Sequence, residues 1–200
     1  MTTTFFLLRH AAHDNVGGYL AGRMPGVWLG SDGSAQAERM ASRMQRETLV
    51  AVYASPRERT QETAAIVAAA QGIHRVVMAP ELDEVDFGEA WEGKDFATLN
   101  HDSAWRRWNS VRSLARTPAG ERMIDVQARA MNLVERLSGQ HAGAAVALVS
   151  HSEVIKAIVN HVLGLPIDAW PRFEIGPASI SAMVIGDWGA KLLTLNEVTP

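Results

Sequence analysis

An arginine and a histidine stand side by side at Arg9-His10, directly behind the apolar run Phe5-Phe6-Leu7-Leu8. A guanidinium grips phosphate through paired N–H donors, and an imidazole can attack or carry a proton. A short run of large apolar residues reads as a buried strand. The pair therefore sits where that strand reaches the rim of an α/β sheet, the place where such sheets bind ligands. Two more strand candidates end in similar residues. Residues 50–54 run into Ser55-Pro56-Arg57-Glu58-Arg59, and residues 144–149 into Ser150-His151-Ser152-Glu153. Both carry Ser-x-x-Glu, a capping box that starts a helix, and Pro56 suits a first helical position. A helix start offers free N–H groups and a positive dipole end to an anion. The ordinary purpose of such a box is only to begin a helix. Three strand ends on one rim, however, would gather Arg9, His10, Arg59 and His151 into a pocket for a phosphoryl group.

The elements that must position these groups follow from alternation. Strand candidates fall at residues 5–8, 50–54, 76–79 and 144–149, with weaker ones at 180–185 and 191–195. Helical spacing appears in Ala37, Met40, Ala41 and Met44, in Ala64, Val67 and Ala68, and in Ile155, Ile158, Val159 and Val162. Strands alternating with helices predict a three-layer α/β/α sandwich with a mostly parallel central sheet of about six strands. Residues 1–200 are read as one domain. Residues 101–127, rich in arginine and interrupted by Pro118 and Gly120, are read as a partly helical, lid-like excursion from the sheet.

Composition narrows the field. The 200 residues carry 19 Lys plus Arg against 22 Asp plus Glu, a net charge of −3 that gives no reason to expect nucleic acid or a membrane surface. Cysteine is absent, which excludes disulfides, thiolate metal sites and a Cys nucleophile. No stretch reaches the roughly 18 apolar residues of a membrane span, and the first residues do not read as a signal peptide. A cytoplasmic protein is expected; the oligomeric state is open.

The ordered motifs resemble the histidine phosphatase superfamily, which includes cofactor-dependent phosphoglycerate mutase and many small phosphatases. Leu7-Leu8-Arg9-His10-Ala11 stands where the family has its strand ending in Arg-His-Gly, and Ser55 to Ala64 is similar to its Ser-x-x-x-Arg-Ala-x-x-Thr-Ala element. Leu82-Asp83-Glu84-Val85-Asp86-Phe87-Gly88 with Trp91-Glu92-Gly93 matches the acidic block, and Ser150-His151-Ser152 the late Gly/Ser-His-Gly. Lesser echoes are Ala21-Gly22-Arg23, Gly33 to Ala37, and Ala119-Gly120-Glu121 with Arg129. Glycine is replaced by Ala11 and by Ser152; both are expected in ordinary strand or helical conformation, since a need for positive φ would strain a side chain.

The resemblance implies that His10 is a nucleophile forming a phosphohistidine and that Glu84 is the general acid. Residue chemistry adds that Arg9 and Arg59 clamp the equatorial oxygens, that His151 donates as a protonated ring, and that nearby arginines keep His10 neutral. Neither metal nor cofactor is required, and the partner is a small phosphorylated metabolite. A phosphoglycerate mutase is the nearest competitor, for which 200 residues is short. A metal hydrolase on His10, His13 and Asp14 is disfavoured because positions i and i+3 of a strand face opposite ways. A non-catalytic phospholigand-binding module is a third reading, suggested by Ala11 and Ser152. His74, His101, His141 and His161 read as ordinary surface or core residues, Arg57 as solvated, and Trp105 and Trp108 as packing one helical face. Arg106 and Arg107 read equally as distal substrate contacts or as a solvated basic face.

Overall fold

In the computed structural model, which describes residues 1–199, strand alternation sorts the apolar residues into two layers. Successive side chains of β1 (Thr3–Arg9) point to opposite faces. Phe5 and Leu7 pack with Val146, Leu148, Leu133 and Ile158, while Phe6 and Leu8 pack with Met40, Met44, Val67 and Val149. The second layer is covered by α1 (Ser31–Met44) and α2 (Glu58–Ala70), the first by α5 (Met123–Gln140) and α6 (Ser152–Val162). Each fully buried Leu or Phe here stabilises the fold by roughly 2 kcal/mol.

The remaining strands are β2 (Leu49–Ala54), β3 (Val76–Met78), β4 (Ala145–Ser150), β5 (Ser179–Gly186) and β6 (Gly189–Val198). Their order across the sheet is β3-β2-β4-β1-β5-β6. The expected mostly parallel sheet needs correction. β1, β4, β2 and β3 pair in parallel, but β5 is antiparallel to both β1 and β6, so the sheet is mixed. The cause is the route of the chain. After α6 it returns to the rim through a 3-10 segment, Ile167–Arg172, and the Ala178 N–H bonds His10 O at 3.2 Å. β5 therefore begins where β1 stops, and the Asp187-Trp188 turn into β6 is too short for anything but an antiparallel pair.

Two local expectations also fail. Neither Ser-x-x-Glu segment is a capping box: α2 starts at Glu58 after Arg57, α6 starts at Ser152 after His151, and neither start has a side-chain cap. Ser150 is still strand and Ser55 N–H continues the ladder to Val149 O at 3.0 Å, so Ser55 lies two residues and Ser150 one residue before the position of a cap. Pro56 precedes the helix for the same reason. Residues 101–127 do contain a helix, α4 (Ser103–Ser110), preceded by the single turn α3 (Phe96–Leu99), but they also include the start of α5. The α5 stripe of Met123, Val126, Ala130, Leu133 and Leu137 was missed in the sequence, where the polar neighbours Gln127 and Arg129 obscure it. Trp105 and Trp108 pack as their spacing predicts; Trp105 meets Trp91 edge-on, centroids 5.2 Å apart.

Candidate active site

β4 lies between β1 and β2, which brings three chain segments to one edge. Arg9 sits opposite Ser150, the His10 N–H bonds Ser150 O at 3.0 Å, and Ser55 bonds Val149 O. One more turn of chain places Arg59 in the first turn of α2 and His151 at the start of α6. The structure thus brings Arg9, His10, Arg59, Glu84 and His151 together. The first four line a cleft of about 280 Å³, and His151 is fully buried against Arg59 and Glu84.

The two imidazoles lie with ring centroids 5.1 Å apart. His10 Nδ1 is 2.8 Å from Ala11 O. A carbonyl can only accept, so Nδ1 carries the proton and Nε2 keeps its lone pair. Arg59 Nε donates to that Nε2 at 3.3 Å. Burial, then Arg59 and Arg9, hold the His10 pKa well below the ordinary value. His151 takes the opposite tautomer. Arg59 Nη2 donates to its Nδ1 at 3.2 Å, leaving Nε2–H to donate to Ser55 Oγ at 2.8 Å. Ser55 Oγ in turn donates to Asp83 Oδ1 at 3.3 Å. Burial, then Arg59, His10 and Arg9, also push His151 well down. These surroundings by themselves favour a neutral ring, whereas the protonated donor expected from sequence is set against a bound phosphate.

The guanidinium groups are buried but not fully used. Arg9 Nη1 donates to Ile175 O at 2.6 Å and Arg59 Nη2 to Gly22 O at 2.8 Å. Arg9 Nε and Arg59 Nη1 have no hydrogen-bond partner among the described residues. A buried donor left unpaired is costly, and both belong to side chains that line the cleft. Gly22 takes φ +50°, and a Cβ there would lie 2.3 Å from Glu92 Oε1, so this carbonyl anchor depends on glycine.

Glu84 faces His151, its Oε2 3.7 Å from Nδ1. Burial, then the nearby Glu153, push its carboxyl up to about 7, against the opposing pull of the Val85 N–H, Arg59 and Arg9. Its loop is clamped: Arg23 Nε (2.7 Å) and Arg129 Nη2 (3.1 Å) both donate to Glu84 O, and Asp86 N–H donates to Glu121 Oε2 at 2.6 Å.

Other residues fall elsewhere than their sequence readings. Arg57 is not solvated; its Nε pairs with Asp83 at 3.0 Å and its Nη1 donates to Arg23 O. Arg106 and Arg107 are exposed and outside the cleft lining, which leaves the solvated basic face of the two readings. His13 lines the same cleft as His10, because β1 ends at Arg9 and strand alternation no longer governs it. Among the described residues no group of three His, Cys, Asp or Glu is placed to hold a metal ion. Ala11 and Ser152 both have negative φ. Ala11 N–H donates to Thr63 Oγ1 at 3.1 Å and Ser152 opens α6, so neither replacement strains the backbone. Sequence reasoning missed Ser55 as a partner of His151 and Asp83 as the acceptor behind Ser55, and it missed Arg112, Glu153 and Trp170 in the cleft wall. Ser55 and Glu153 were visible but assigned to caps. A larger groove of about 610 Å³ beside α5 and β6 is lined by Ile124, Met131, Ile185 and Ala190 but by no arginine. Chemistry rather than size marks the site.

Fold and rim together define an α/β protein with two histidines and two arginines gathered at one edge of its sheet. The chain belongs to the histidine phosphatase superfamily (branch 1), which it matches over residues 5–198. It is 34% identical over 186 residues to an uncharacterized protein of Mycobacterium tuberculosis, covering 91% of this chain and 90% of the other. It is 28% identical to phosphoserine phosphatase 1 of Hydrogenobacter thermophilus, over 84% of this chain and 80% of that one. The solved mycobacterial glucosyl-3-phosphoglycerate phosphatase superposes with a TM-score of 0.86 at 26% identity, covering 98% and 99% of the two chains. By this kinship the chain is an enzyme of the histidine phosphatase type. Among the described residues no helix is long and apolar enough to cross a membrane.

Proposed function

We propose that this chain hydrolyses a small phosphorylated metabolite in the cytoplasm, without metal or cofactor, through a phosphohistidine on His10. One observation carries the reading. The lone pair of His10 Nε2 is kept available beside Arg9 and Arg59, two arginines that line the same cleft and each carry a buried donor without a partner among the described residues, Nε and Nη1. A phosphate entering there takes over the Arg59 Nε contact, and Nε2 attacks phosphorus as the bond to the leaving oxygen breaks. Arg9 and Arg59 bind the equatorial oxygens, where charge builds up. The bound dianion also offsets the arginine field at His151 and draws its ring toward the charged, donating form.

Glu84, with its carboxyl near 7, gives its proton to the leaving alkoxide. The resulting carboxylate then takes a proton from water, whose oxygen attacks phosphorus and breaks the P–N bond. Phosphate leaves and both groups return to their starting states.

The test is a panel of phosphomonoesters, including an aryl phosphate and 3-phosphoglycerate, run on wild type and His10→Ala together with acid- and base-quenched phosphoenzyme trapping. The expected result is release of inorganic phosphate and an acid-labile, base-stable phosphoenzyme, both lost in His10→Ala. Isomerisation of 3-phosphoglycerate without release would make the chain a mutase. Phosphate binding with no turnover of any ester would make it a binding module.

A further inference from the structure

Beyond its phosphate-binding floor the cleft is walled by Tyr19, Phe87, Phe96, Trp105 and Trp170, with Arg112 and Glu153 as the other charged residues. Arg112 is only 3% exposed; both of its terminal nitrogens are engaged, while its Nε has no hydrogen-bond partner among the described residues. Its Nη1 is salt-bridged to Glu153 Oε2, Nη2 donates to Asn109 Oδ1 at 3.2 Å, and the guanidinium stacks 3.6 Å from the Trp170 ring centroid. Lys156 does not line the cleft; it lies 5.3 Å from the Trp170 centroid and pairs with Glu174 at 3.5 Å.

The charges therefore sum simply. Arg9 and Arg59 together match one phosphate dianion, and the Arg112–Glu153 pair sums to zero. His13, its pKa lowered mainly by burial, adds no cation at neutral pH. A second anion on the substrate would lie near the Glu153 carboxylate in a partly desolvated site with no free cation, an unfavourable arrangement. An uncharged ring or apolar chain would instead find five aromatic walls.

Resting on the phosphatase reading above, we infer that the preferred substrate is the phosphate ester of an uncharged alcohol with an aromatic or apolar face. The Arg112–Glu153 pair enforces this by presenting a neutralised guanidinium to the leaving group. Discrimination comes from an unfavourable placement of the wrong substrate as much as from contacts to the right one.

Phenyl phosphates bearing para-carboxamide or para-carboxylate share a shape and differ by one charge. For wild type we expect kcat/KM for the carboxamide to exceed that for the carboxylate by about tenfold or more. Glu153→Gln frees Arg112 and should shrink that ratio about tenfold, while Arg112→Met combined with Glu153→Gln restores it. Any shared effect on Glu84 cancels in the ratio. A wild-type preference for the carboxylate, or a ratio unmoved in folded Glu153→Gln, overturns the inference while leaving the phosphatase reading intact. If Glu153→Gln does not fold, the wild-type ratio decides alone. Absence of turnover with both esters and with phenyl phosphate overturns the phosphatase reading and this inference with it.

Discussion

The floor and the wall of the cleft are built by different means. Arg9, His10, Arg59 and His151 lie at or near a strand end or a helix start, where sheet register holds the backbone. Tyr19, Phe96, Trp105, Arg112 and Trp170 come from loops and short helices that no ladder fixes. In the proposed reaction the phosphate end of a substrate is read by the scaffold and the alcohol end by its excursions. Chemistry can stay constant while specificity changes, which is how loops on a rigid frame usually divide the work.

Substitutions test this division. His10→Ala should cost about 10⁴-fold or more in kcat, since it removes the nucleophile. Arg59→Met should follow with a loss of about 10²–10³-fold, the effect of deleting a charge-stabilising donor group. Glu84→Gln should cost about 10²-fold on alkyl phosphates. It should cost far less on 4-nitrophenyl phosphate, whose leaving group needs no proton. Phe96→Ala, in the wall, should raise KM several-fold and leave kcat nearly unchanged. A fall in kcat as large as that of Arg59→Met would erase the distinction between floor and wall.

Glu84 also sharpens the contrast through pH. A general acid with its carboxyl near 7 in the free protein predicts that kcat/KM declines above that pH and that Glu84→Gln flattens the decline. Folding raises this carboxyl from 4.5 to about 7, so the folded chain binds more protons than the unfolded one between those values. The stability that this protonation contributes is complete below 4.5 and lost as pH rises through 7, up to about 3 kcal/mol. Thermal unfolding should accordingly find Glu84→Gln more stable than wild type at pH 8, with little difference at pH 4. The lowered pKa values of His10 and His151 act with the opposite sign, favouring the fold above 6.5 and opposing it on acidification.

Much of the floor was legible because its residues follow apolar runs directly, and a strand end is a place that sequence can name. The sheet order was not legible. Nothing in residues 144–149 says that they insert between β1 and β2, yet that insertion brings His151 against Arg59. The antiparallel β5 was hidden for a similar reason, since its direction depends on residues 163–178 climbing back to the rim. The capping boxes misled because Ser-x-x-Glu describes a helix start without revealing that the strand continues through the serine. The Asp83–Ser55–His151 chain and the Arg112–Glu153 pair join positions 28 to 96 residues apart, beyond the reach of any local pattern.

The central position of β4 has a consequence for biogenesis. While the ribosome is still short of residue 145, β1 and β2 lack the partner they share, and the two imidazoles cannot meet. Pairing across such sequence separations is slow and leaves strand edges bare. Catalytic competence should therefore arrive late and in one step during translation, with no partly active nascent chain before it.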